Sequence, residues 1–177
     1  MSQTSGPGGA SSAPEQQVAA ESLDIAYAQL PQGVAAAIVA APVIAYVQSD
    51  VTSVLAAAIW LALVLGVSLA RLAIFVARRR RPPEERATAF WRSLFLVTIT
   101  LSGVSWGSAA LLIFPPGMPA DQALVGLALA GLSGAAVGTL ATHYRAYLVF
   151  SLSVCGPFTI RLFAEGGEVP LTMALLT

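Results

Sequence analysis

Residues 53–81 read SVLAAAIWLALVLGVSLARLAIFVARRRR. Between Ser53 and Ala77 the only charge is Arg71, and four arginines then follow in a row, Arg78, Arg79, Arg80 and Arg81. A helix rises about 1.5 Å per residue, so about 20 apolar residues cross the hydrocarbon of a bilayer. This stretch is long enough to span, and a block of fixed charge ends it where the chain meets water.

The rest of the chain repeats the pattern. Apolar runs occupy about Pro31–Val47 (span one, with Pro42 inside it), Trp91–Phe114 (span three), Gln122–Ala141 (span four) and Tyr147–Phe163 (span five). A further run begins near Pro170 and reaches Thr177, about 12 Å at helical rise, less than half a membrane. The expected architecture is all-α, a polytopic transmembrane helix bundle of five full spans and a truncated sixth, occupying residues 31–177. Composition agrees: 56% of residues are hydrophobic, 10% are charged, and mean hydropathy is +0.77. A soluble domain carries roughly 25% charged residues. The formal net charge is zero, which gives no basic field for nucleic acid.

Ahead of the spans, residues 1–14 are rich in Gly, Ser and Pro and read as a disordered tail. They lack the basic and apolar regions of a signal peptide. Over residues 15–30, Ala19, Leu23, Ala26, Tyr27 and Leu30 share one helical face, opposite Gln17, Glu21 and Asp24. This is an amphipathic interfacial helix or an N-terminal extension of span one.

Arginine sets the orientation. The loop after span two holds Arg78–Arg81 and Arg86, and the loop after span four holds Arg145, whereas the alternate loops carry Asp50, Asp121, Glu165 and Glu168. The positive-inside rule places the basic loops and the N-terminus in the cytoplasm. Arg78–Arg81 and Trp91 act as topology anchors, the latter as an interfacial aromatic.

Small residues mark the helix contacts. Gly103 and Gly107 form a G-x-x-x-G pair in span three, and Gly126, Ala130, Gly134 and Gly138 recur every four residues in span four. Such stripes let helix backbones approach closely, here spans three and four within one bundle, or else across a dimer seam. Arg71 lies seven residues, about 10 Å, before Arg78. It reads as a snorkelling anchor, with a ligand role as the alternative. Arg161, near the outer end of span five, has Glu165 one turn on as an ion-pair partner.

Chemistry-bearing motifs are absent from the sequence. His143 is the only histidine and Cys155 the only cysteine, which leaves no metal site, no cofactor ligand set and no disulfide. No paired acid and base, serine elbow or P-loop occurs. The candidate ligand site is instead a cavity in the outer half of the bilayer formed by Trp60, Trp106 and Arg161, suited to a hydrophobic molecule with an anionic or carbonyl head. The alternative is lipid-facing tryptophans beside an Arg161–Glu165 pair.

Taken in order, the chain shows Tyr27-Ala28-Gln29-Leu30-Pro31, Ile59-Trp60-Leu61, Arg71, the arginine loop with Trp91-Arg92, Ser102-Gly103-x-x-Trp106-Gly107, Phe114-Pro115, the glycine-rich fourth span, and Pro157 with Arg161-Leu162. This layout resembles the six-span, MASE-like N-terminal sensor regions of bacterial diguanylate cyclases, phosphodiesterases and hybrid sensor histidine kinases. The resemblance implies a bacterial inner-membrane sensory and anchoring module that works as a homodimer. It further implies a cytoplasmic GGDEF, EAL or kinase output domain in cis beyond residue 177, so that this chain is itself no enzyme. A small transporter, or half of one, is the alternative, and an intramembrane enzyme the third.

Overall fold

The computed structural model describes residues 24–86, 88–140 and 144–165. Residues 1–23, His143 and the run from Pro170 to Thr177 lie outside the described residues, and with them the tail, most of the interfacial helix and the truncated sixth span. The described residues are helical, with no strand among them. Asp24–Ala28 is helical, passes a turn at Gln29 and continues as α1, Leu30–Gln48. There follow α2 (Val54–Arg79), the single turn α3 (Pro83–Arg86), α4 (Ala89–Gly107), the short α5 (Ala109–Leu112), α6 (Pro119–Leu140) and α7 (Tyr144–Glu165).

Five stretches are long and apolar enough to cross a membrane: Asp24–Gln48, Val54–Arg79, Ala89–Leu112, Pro119–Gly138 and Tyr144–Glu165. Span three is expected as one run but is divided at Ser108, where α4 gives way to α5. The outer surface suits a lipid solvent. Val39, Val43, Leu127 and Ile160 sit within their helices and are each more than half exposed. In water, an apolar surface this continuous would demand a partner.

The helices pack in a ring order, α1 on α2, α2 on α4, α4 on α7 and α7 on α6. The ring closes weakly, because α6 and α1 touch little. The tightest join is α4 on α7. A Cβ added at Gly107 would overlap the Ser153 carbonyl oxygen, and one at Gly103 would lie 2.8 Å from the Ser153 Cβ. The sequence pairs the Gly103/Gly107 face with span four. The structure places it against span five, where Phe150, Ser153 and Pro157 meet it.

Two polar clusters tie the ends. At the basic-loop end, Arg78 pairs with Asp24, its guanidinium lies 4.3 Å over the Tyr27 ring, and it donates to the Arg86 carbonyl at 3.2 Å. Tyr27 donates its hydroxyl to the Trp91 carbonyl at 3.1 Å. At the other end, Gly117 adopts φ +72°, a left-handed conformation that costs glycine little. Its N–H donates to Glu165, and Gln122 Nε2 donates to the Pro115 carbonyl at 3.0 Å and to Glu165 at 2.7 Å. Gln48 Nε2 reaches the Asp121 carbonyl at 3.4 Å.

Candidate functional site: an arginine-headed cavity at the loose joint

Beside the weak α1–α6 closure, on the basic-loop side of the bundle, lies a cavity of about 180 Å³. Its walls come from the lead into α1 and its first half, the second half of α2, the middle and end of α4, the end of α6 and the start of α7. Phe95, Ile99, Trp106 and Leu132 make it largely apolar. Against that background stand Arg71 and Ser68 from α2, Ser102 from α4, Gln29 from the turn before α1, and Gln32 from α1.

Arg71 is the chemical centre. Its Nη1 donates to the Ser102 hydroxyl at 3.0 Å, while its Nε is buried without a hydrogen-bond partner. The guanidinium therefore turns across the bundle to α4, whereas the sequence favours snorkelling toward Arg78. Among the described residues no carboxylate pairs with it. Asp24 is held by Arg78, Glu85 by Arg81, and Glu165 by Gly117 and Gln122. The Gln29 amide oxygen is likewise buried and unpartnered. Ser68 and Ser105 direct their hydroxyls to backbone carbonyls of their own helices, at 2.8 Å each, and are satisfied.

The expected triad of Trp60, Trp106 and Arg161 is brought together only in part. Trp60 and Trp106 meet edge to face at 5.5 Å between ring centroids and 79° between planes, and both are buried. Trp106 lines the cavity, and Trp60 stands behind it with its indole N–H unpartnered. Arg161 lies elsewhere. It is exposed, and its guanidinium sits 5.3 Å from the centroid of the Phe114 ring. Glu165, its expected ion-pair partner, faces the Gly117 turn instead. The cation of the cavity is Arg71.

The remaining marked residues divide. Along α6, Gly126 sits beneath the Phe158 ring, with an added Cβ 2.9 Å from Cε1, and Ala130 is half-buried. Gly134 and Gly138 face open space. Arg78 is buried at 7% side-chain exposure, while Arg79, Arg80 and Arg81 are exposed. Trp91 is buried at 9% and contacts the exposed Phe90 edge to face. Gln29, a residue of the site, carries only a weak sequence sign: it is one of two amides flanking Pro31 in an otherwise apolar lead. No family model, curated protein or solved structure matches this chain.

Proposed function

We propose that this chain is a sensory and anchoring module of a bacterial inner membrane. In this reading it passes a membrane-borne signal to a cytoplasmic output domain beyond residue 177, concerned with cyclic-di-GMP turnover or histidine phosphorylation, and acts as a homodimer. One observation carries it: a charged side chain in a spanning helix is turned into a cavity at the one weakly closed joint of the ring. An ionisable residue inside a membrane is expensive and is kept where it pairs or binds. A ligand at a loose joint shifts the helix arrangement only by its differential affinity for two packings. Here α6 is held mainly by α7 and touches α1 little, and α7, packed on both α6 and α4, would carry a change toward the C-terminal side.

The test uses the full natural polypeptide. A GGDEF, EAL or kinase core following residue 177, with output altered by Arg71→Gln, supports the proposal. A chain that ends without such a core, or uptake of a solute by vesicles holding the protein, favours a transporter instead. Orientation is tested separately with single cysteines in a Cys155→Ser background. An impermeant maleimide added to intact spheroplasts labels position 120 and spares position 87 if the basic loop is cytoplasmic. The reverse pattern overturns that topology.

A further inference from the structure

We propose that the Arg71 cavity binds a single-chain anionic amphiphile, a fatty-acid-type carboxylate, which reaches it sideways from the bilayer between α1 and α6. The inference rests on the sensory reading only for its consequence; the binding site stands on its own geometry. Arg71 holds a positive charge among apolar walls, with an unpartnered Nε and no carboxylate partner among the described residues. A half-buried charge left uncompensated among apolar walls is costly, so an anion is favoured over a neutral carbonyl compound. The Arg71 guanidinium lines the cavity beside Gln29; Nε itself is closed to solvent, so a carboxylate there accepts from the guanidinium N–H groups once these side chains adjust.

The size of the cavity and its position select the rest of the ligand. About 180 Å³ is below the 300–1,000 Å³ typical of a pocket that encloses a drug-sized molecule. It holds a carboxyl head and the first part of a chain, and is too small for a glycerophosphate headgroup with two acyl arms. The rest of the chain needs a way out. Gly33, Ala36 and Ala135 line the cavity and are also exposed on the lipid-facing surface, at the joint where α1 and α6 touch little. An added Cβ at Gly33 meets nothing within 4 Å. The opening is therefore edged by small residues, with the exposed Gln32 beside them.

The experiment measures radiolabelled dodecanoate bound to the purified chain in phosphatidylcholine nanodiscs, against empty discs. Saturable excess binding is expected, displaced by unlabelled dodecanoate but not by methyl dodecanoate or acetate at about tenfold higher concentration. Arg71→Gln weakens it by about tenfold or more, the effect of losing a charge-assisted hydrogen bond. Arg161→Gln leaves it unchanged. Equal displacement by the methyl ester overturns the anionic head, and displacement by acetate reassigns the site to free anions. Undiminished binding by a folded Arg71→Gln protein overturns the site. If that variant does not fold, Gly33→Phe decides, because it keeps Arg71 and obstructs the opening. Normal binding by it overturns sideways access. Dodecanoate that binds as expected but does not move the output of the full-length protein leaves the site intact and removes the sensory reading.

Discussion

The α4–α7 seam and the α1–α6 joint are built from similar residues and do opposite things. At the seam, Gly103 and Gly107 bring α4 so close to α7 that no side chain fits between Gly107 and the Ser153 carbonyl. At the joint, Gly33 has open space where a Cβ would stand, and so do Gly134 and Gly138 on an exposed face of α6. The difference shows that a small-residue stripe permits close approach without causing it. Close approach needs a partner surface of matching shape, which α7 supplies with Phe150, Ser153 and Pro157. Among lipids no hydrophobic force pushes helices together, so a stripe without such a partner is left open.

Substitutions that add one methyl group test this contrast directly. Gly107→Ala has the largest expected effect, a loss of about 3 kcal/mol, because backbone on the facing helix must move. Reversible unfolding in bicelles measures it, and a stability within about 0.5 kcal/mol of the parent would show that the seam is looser than described. Gly103→Ala follows at about 1–2 kcal/mol, since the nearest obstacle is a side-chain Cβ with backbone only slightly farther away. Tyr27→Phe removes the bond to the Trp91 carbonyl and is expected to cost about 1 kcal/mol, with faster amide exchange around residues 88–91. The smallest effect belongs to the open face of α6. Gly134→Ala and Gly138→Ala should leave stability unchanged or raise it by up to about 1 kcal/mol through helix propensity alone. A loss comparable to that of Gly107→Ala would mean that this face of α6 has a tight neighbour after all.

Arg71 and Arg161 mark how far the sequence reaches into the site. Each is a lone arginine near one end of an apolar run, and depth alone grouped Arg161 with Trp60 and Trp106. The tryptophans do meet, but the arginine of the cavity they help wall is Arg71. Depth along a helix follows from counting residues. Direction around the helix axis does not, and it decides which of two arginines enters the bundle. Gln29 shows the same limit, because its amide matters only once Arg71 and Ser102 are placed opposite it.

The sequence by itself determined the helical class, the five stretches long and apolar enough to cross a membrane, and their bounds to within a few residues, except that the first begins at Asp24 rather than near Pro31. These depend on local quantities, the length of an apolar run and the charge or proline that ends it. Tertiary structure alone decided that α4 packs on α7 rather than α6, that α1 and α6 close loosely, and that Arg71 turns inward. In a soluble helix the polar face reveals which side is outside. In these helices the lipid-facing and core-facing sides are both apolar, as the exposed Val39 and the buried Ala37 on α1 illustrate, so the pattern carries no phase. The rotation of each helix, and hence the site, is set by shape fit and by a few cross-helix hydrogen bonds that exist only after the helices have met.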